Sequence, residues 1–182
     1  MSEILFYRFP VTPQVFYRSR YSYALVNLKP LVPGHVLVVP LRTSVLRFGD
    51  LNPQEAQDYM DSLQLIQGFI IKAFGADALN LAIQDGLEAG QSVPHLHTHI
   101  IPRYASDKHD DSIHQQLERT DLEKAYADFF LRKAKFQKSP GFISLPSEDR
   151  HPRGMDTMAQ EALRLQAQLN IYMEGQKWGS EN

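Results

Sequence analysis

The chain of 182 residues contains no cysteine, which removes disulfides, thiolate metal centres and cysteine nucleophiles together. No apolar run approaches the ~20 residues that a membrane-spanning helix needs, and no signal-peptide core is visible. A large charge of either sign is missing too. The formal net charge of −2, from 19 basic and 21 acidic residues, offers no basic stripe for nucleic acid. There is no internal repeat, no GxGxxG, no phosphate-binding GxxxxGK loop and no HExxH. What remains is ordinary globular composition, 43% hydrophobic and 22% charged, at a length that suits one domain with a proper core. Arg8, Arg18 and Arg20, against Glu3 alone, give the start a faint transit-peptide character, but Pro10 and Pro13 break any amphipathic helix there. The expectation is a soluble protein of the cytoplasm, and also of the nucleus, with a mitochondrial address left open.

Three of the seven histidines fall within five residues, His95, His97 and His99, behind the loop Gln84-Asp85-Gly86-Leu87-Glu88-Ala89-Gly90-Gln91-Ser92. On a strand running Val93 to Ile101 the three rings would share one face, with Leu96, Thr98 and Ile100 on the other. The preceding loop carries two glycines and short polar groups, so a ligand can come close to its backbone. Three uses compete for such a row. Structural histidines would each need buried partners, three sets of them. Metal ligation by the whole row is hard on a straight strand, because His95 and His99 start about 13 Å apart at about 3.3 Å per residue. Zinc holds imidazole nitrogens at about 2.0–2.1 Å, so only an i, i+2 pair could chelate without a bend. The use we favour is a working imidazole with neighbours that orient it, beside an anion site built from loop amides.

The rest of the chain arranges itself around that stretch. Val15 to Arg18 and Tyr21 to Asn27 read as a hairpin, and His35 to Val39 as a buried strand ending at Pro40. Asn52, Pro53 and Glu55 announce a helix that Gly75 closes. Its apolar positions are Ala56, Tyr59, Met60, Leu63, Ile66, Ile70, Ile71 and Phe74, a stripe for covering a sheet. Ala78 to Gln84 is the next strand. Beyond Arg103 the pattern weakens: a short helix capped by Asp110-Asp111-Ser112 is expected, then no clean period through Phe136 and an irregular connector to Gly154. Met158, Ala162, Leu165, Leu169 and Tyr172 form a final amphipathic helix, about 156–174, ended by Gly175. Strands followed by segregated helices imply α+β with a mostly antiparallel sheet.

The triad with its Gln84-Asp85-Gly86 loop, Pro102-Arg103 after it, and upstream Ala24 to Pro30 and Pro33 to Pro40 is similar to the histidine-triad (HIT) superfamily, in its fragile-histidine-triad branch. The resemblance covers about residues 15–104. It implies one HIT domain over 1–182, with a core about 4–104, an irregular segment about 105–154 and the C-terminal helix. The implied fold is α+β, a five-stranded mostly antiparallel sheet with one long helix on it, and two subunits joined as a homodimer. The implied activity is hydrolysis of diadenosine triphosphate to AMP and ADP. Within the same superfamily a nucleoside phosphoramidase or a nucleotidyltransferase stays open, and so does a nucleotide-sensing role. In that reading His97 is the nucleophile that becomes adenylylated, His99 donates to a phosphate oxygen, and His95 and His35 support the ring. Gln84, Gln91 and Ser92, with amides from Gly90 to Val93, hold the phosphates, and Asn27 touches the ribose. A magnesium or manganese ion comes with the substrate phosphates, with no protein cage. Neither nucleic acid nor membrane is an expected partner. The residues alone leave Asp85 and Glu88 as loop formers, and Arg103 balanced between steering anions and ending a strand.

Overall fold

The computed structural model describes residues 3–107, 112–138 and 153–179. A five-stranded sheet forms the centre, built from β3 (Val15–Arg18), β4 (Ser22–Val26), β5 (Val36–Pro40), β6 (Ala78–Ile83) and β7 (Thr98–Arg103). Its order is β3-β4-β5-β7-β6, with every neighbouring pair antiparallel. A separate two-stranded ribbon, β1 (Leu5–Phe6) with β2 (Phe9–Pro10), precedes it. β4 and β5 are buried along their whole length, which is why both read as near-continuous apolar runs.

Helix α1 (Pro53–Phe74) starts and stops where its end residues dictate. The Asn52 side chain accepts from Glu55 N–H at 2.9 Å, and the Glu55 carboxylate accepts from Asn52 N–H at 3.0 Å. Gly75 closes it in the left-handed conformation, φ +60°. Tyr59, Leu63, Ile66, Phe69 and Ile70 are its buried apolar side chains. Met60 and Ile71, expected in the stripe, lie exposed at its margin, and Phe69 takes the inner place. The helix packs on β4, β5 and β7, and α4 (Met155–Gly179) lies next to it over β3 and β4. The two helices meet where Phe69 faces Tyr172, ring centres 5.9 Å apart. Met158, Ala162, Leu165 and Leu169 are buried there, so the core of this chain covers the apolar face of α4.

The structure corrects several expectations. α4 runs through Gly175 instead of ending there, since an exposed helical glycine costs only about 1 kcal/mol. The expected short helix is present as α2 (Ser112–Glu118), but the stretch after it, expected to lack a clean period, forms a second helix, α3 (Leu122–Lys138). α3 begins where the Asp121 carboxylate accepts from Lys124 N–H at 2.9 Å. Leu122, Ala125 and Tyr126, at helical spacing, are buried. The Asp110-Asp111 cap and most of the connector to Gly154 lie outside the described residues. Finally, β7 begins only at Thr98. Pro94 has no N–H for a ladder, His95 N–H folds back to Val93 O at 2.8 Å, and Leu96 N–H leaves the sheet for Val45 O at 2.8 Å. His95 and His97 therefore sit in an extended approach to the strand, and His99 alone of the three is in it.

Candidate active site

The face on which the histidines lie follows from Thr98. Its hydroxyl meets Tyr59 Oη of α1 at 2.7 Å, so Thr98 points to the helix side. Its neighbours His97 and His99 point to the opposite face, ring centres 5.0 Å apart. His35, just before β5, reaches across to β7, its Nε2 lying 2.9 Å from His99 Nδ1. Gly34 permits that placement. It has φ +83°, and a Cβ there would meet the Phe74 ring at 2.8 Å, so only glycine lets α1 end this close to His35.

Backbone groups assign the protons, because an N–H can only donate and a carbonyl can only accept. Leu31 N–H donates to His35 Nδ1 at 3.1 Å, so His35 carries its proton on Nε2 and donates it to His99 Nδ1. That leaves His99 with its proton on Nε2. His97 Nδ1–H donates to His95 O at 2.8 Å, so the lone pair of His97 sits on Nε2. Tyr7 N–H donates to His95 Nδ1 at 2.9 Å, so His95 is protonated on Nε2, towards the carbonyls of Pro40 and Arg42. The Nε2 atoms of His97 and His99 are buried with no hydrogen-bond partner, and Gln84 Nε2 is in the same condition. A lone pair on His97 thus stands next to an N–H on His99, both without a partner. That is the arrangement needed to attack a phosphorus atom while holding one of its oxygens.

Burial keeps the rings neutral. It holds His97 below its usual range and His99 well below it, with the neighbouring His97 and His35 acting on His99 in the same direction. Burial first, and then His97, lowers His95 to about 4. At neutral pH no triad ring carries a charge, so the His97 lone pair is available without a separate base. Phe6 supplies part of the apolar cover, edge-on to His97 at 5.3 Å and in turn against Tyr126 of α3 at 5.6 Å.

The loop before the triad is held from several sides. Asp85 accepts from Phe48 N–H at 2.8 Å, a loop-forming use. The Gln91 side chain accepts from Gly86 N–H at 2.9 Å and donates to Leu46 O at 2.8 Å, so both its ends shape the loop. Gly90, at φ +84°, places a would-be Cβ 2.7 Å from Gln84 Nε2. The N–H groups of Gly90 and Gln91 bond back to Leu87 O and Gly86 O. Ser92 and Val93 N–H make no hydrogen bond among the described residues. Ser92 Oγ accepts from Leu122 N–H at 3.1 Å, which leaves its own hydrogen to donate. Asn27 is buried, its Oδ1 accepting from Lys29 N–H at 3.0 Å and its Nδ2 3.2 Å from His35 Nε2. Arg103 is held by Asn80 at 2.7 Å and by Asp107, an end-of-strand use. Among the described residues no group of three or more His, Asp and Glu side chains could hold a metal ion.

Two parts of this site have no counterpart in the sequence reading, the Tyr7 N–H on His95 and the Leu122 N–H on Ser92. The second had a visible signal, Asp121 as a cap followed by Leu122, Ala125 and Tyr126 at i, i+3 and i+4. The first had none, since it joins residues 88 apart.

The chain is similar to several known proteins. A bis(5'-adenosyl)-triphosphatase of Saccharomyces cerevisiae is 45% identical over 193 residues, 93% of this chain and 93% of the relative. A bis(5'-nucleosyl)-tetraphosphatase (asymmetrical) of Schizosaccharomyces pombe is 44% identical over 178 residues, 94% of this chain and 97% of the relative. Among solved structures, the C. elegans NitFhit protein superposes with a TM-score of 0.64 at 28% identity, over 91% of this chain and 30% of that one. This chain thus spans under a third of NitFhit. The Plasmodium falciparum diadenosine triphosphate hydrolase, solved with cyclomarin A, gives a TM-score of 0.59 at 26% identity, over 88% of this chain and 78% of that one. The HIT domain family matches residues 9–106, which include the sheet, α1 and all three triad histidines, and the chain belongs to that family.

Proposed function

We propose that the protein hydrolyses diadenosine triphosphate to AMP and ADP through an adenylyl-His97 intermediate. The observation that carries this reading is the His97 Nε2 lone pair, buried, without a partner and fixed by the His95 carbonyl. The similarity to a bis(5'-adenosyl)-triphosphatase over 93% of the chain supports the choice of substrate.

In the first displacement Nε2 attacks the α-phosphorus and an N–P bond forms. The Pα–O bond to the next phosphate breaks, and its electron pair leaves on the bridging oxygen as part of ADP. The positive charge that grows on the ring is met by the His95 carbonyl on Nδ1–H. His99 Nε2–H, the Gln84 amide, the Ser92 hydroxyl and the N–H groups of Ser92 and Val93 are the donors for the non-bridging oxygens. Loss of one such donor typically costs about 10²–10³ in rate. Water then attacks phosphorus, the N–P bond breaks, AMP leaves, and the proton of the water goes to solvent. Gln91 acts by holding the loop, and Asn27 stands on the ribose side of the site. A magnesium or manganese ion travels on the substrate phosphates as part of the substrate. The site offers imidazole and amide hydrogens, which suit phosphate oxygens, whereas hard cations take oxygen ligands.

The reading includes a homodimer. β6 is an edge strand, with Leu81 52% and Ile83 37% exposed, and an uncovered apolar edge favours pairing with a second copy. Light scattering should give twice the 20.8 kDa chain mass, and a monomer at high concentration would count against it. Residence in cytoplasm and nucleus belongs to the same reading and is checked with a fluorescent fusion. The similarity to an asymmetrical tetraphosphatase favours one variation, a substrate with four phosphates. Incubation of the protein with diadenosine triphosphate or tetraphosphate and magnesium, followed by chromatography, tests both. AMP with ADP, or AMP with ATP, is expected, and absence of AMP would sink the proposal.

A further inference from the structure

The hydrolysis reaction leaves half of its substrate without a place, and a cleft lies on segments that contact Asn27 and Ser92. The cleft measures about 510 Å³ and lies between the α2–α3 pair and the turn after β4. Three cations line it: Lys29 from that turn, Arg119 after α2, and Lys124 in the first turn of α3. Ligand sites commonly hold about 300–1,000 Å³, so the volume suits a nucleotide.

Both walls of the cleft are tied to the reaction centre. On one side Lys29 N–H donates to Asn27 Oδ1, and the Asn27 amide stands 3.2 Å from His35 Nε2, which contacts His99. On the other, Leu122 N–H, between Asp121 and Lys124, donates to Ser92 Oγ. Ser92 and Asn27, which each touch one wall of the cleft through a backbone N–H, thus connect it to the loop and the histidines. Lys29, Arg119 and Lys124 make no ion pair among the described residues. Asp121 and Asp128 also line the cleft, and the Asp121 carboxylate caps α3 through Lys124 N–H. In a protein of net charge −2, three cations against two carboxylates leave this cleft net positive, which favours an anion.

We infer that this cleft is the subsite of the leaving nucleoside polyphosphate, and that Lys29, Arg119 and Lys124 hold its phosphates as the Pα–O bond breaks. The inference rests on the hydrolysis proposed above. It adds the residues that recognise the half of the substrate not transferred to His97. The bridging oxygen gains negative charge in the first displacement, so cations waiting on that side favour its departure. They also give a preference for leaving groups that are themselves polyphosphates.

The test compares two substrates that share the transferred AMP. One is diadenosine triphosphate, and the other is the 4-nitrophenyl ester of AMP, whose leaving group is small and carries no phosphate. The double variant Arg119→Gln, Lys124→Gln, and Lys29→Gln separately, should lose about tenfold or more in kcat/KM on diadenosine triphosphate, the size expected for a lost charge-assisted contact. On the ester they should stay within about twofold of the parent, which also shows that the variants fold. Inhibition by ADP should weaken in parallel while inhibition by AMP does not. Equal losses on both substrates, or no loss on either, would overturn the cleft assignment. Failure of the unaltered protein to split diadenosine triphosphate would instead strike at the hydrolysis reading, and would appear before any variant is made.

Discussion

Acid should unfold this protein steeply, and the triad is the reason. His95 has an unfolded value near 6.5 and a folded value of about 4, because burial and then His97 oppose its charge. The sign is clear: as pH falls from neutrality the unfolded chain takes up the proton first. Stability from this ring is therefore full above pH 6.5, shrinks as pH falls, and is gone below about pH 4. At 1.36 kcal/mol per unit, the span amounts to about 3 kcal/mol from His95 alone. His97 and His99 are depressed in the same direction by the same cause. Where all three lag the unfolded chain, stability should change by up to about 4 kcal/mol per pH unit, from three protons at about 1.4 each. Domains commonly possess about 5–15 kcal/mol in total, so one pH unit could remove much of it. Urea unfolding followed by fluorescence at pH 7.5, 6.5, 5.5 and 5.0 measures this directly. A bound polyphosphate, by attracting protons to the rings, should flatten the slope. His95→Phe, which places an uncharged ring there, should remove about one proton's share. Stability unchanged between pH 7 and pH 5 would refute the claim that the rings are held neutral by burial.

The other expectations concern chemistry and packing. His97→Asn should abolish turnover while nucleotide binding persists, because only the attacking nitrogen is lost; near-normal turnover in a folded variant would remove His97 as nucleophile. Two displacements at one phosphorus should retain its configuration, so a chiral labelled phosphorothioate hydrolysed in heavy-oxygen water should report retention; inversion would point to direct attack by water. Gly34→Ala should lower stability by about 1–3 kcal/mol, since the new methyl meets the Phe74 ring at a positive φ. A thermal midpoint equal to that of the parent would show that α1 yields at its end more easily than the geometry implies.

The parts of the fold that could be read in advance are those decided locally. The ends of α1 follow from Asn52, Glu55 and Gly75 within a few residues, and β4 and β5 from unbroken apolar runs. The triad stood out because three imidazoles so close together need an unusual environment. Its proton assignments were unreadable, since each depends on a backbone group far off in sequence: Leu31 acts through His35 on His99, and Tyr7 on His95. The loop contacts of Gln91 were unreadable for a related reason. Its acceptor, Leu46 O, lies 45 residues away in sequence. α3 was missed because its aromatics pack partly on each other and on the ribbon, so no single stripe emerged; Phe9 stacks on both Tyr126 and Phe130.

The ribbon of β1 and β2 has a practical consequence. Tyr7 turns it at φ +56°, a backbone state that costs a non-glycine residue about 1–2 kcal/mol, and there its N–H meets His95. The region matched by the family starts at residue 9, two positions too late to include this contact. A minimal domain cut at that boundary would keep His35 and the three triad histidines and lose the amide that settles the His95 tautomer, together with the Phe6 ring that shields His97. A bulky fusion joined directly ahead of Leu5 would press on the same turn. Expression vectors for this protein should therefore carry their tags at the far end of the chain, and a weak preparation trimmed to the family boundary would reflect the trimming and not the enzyme.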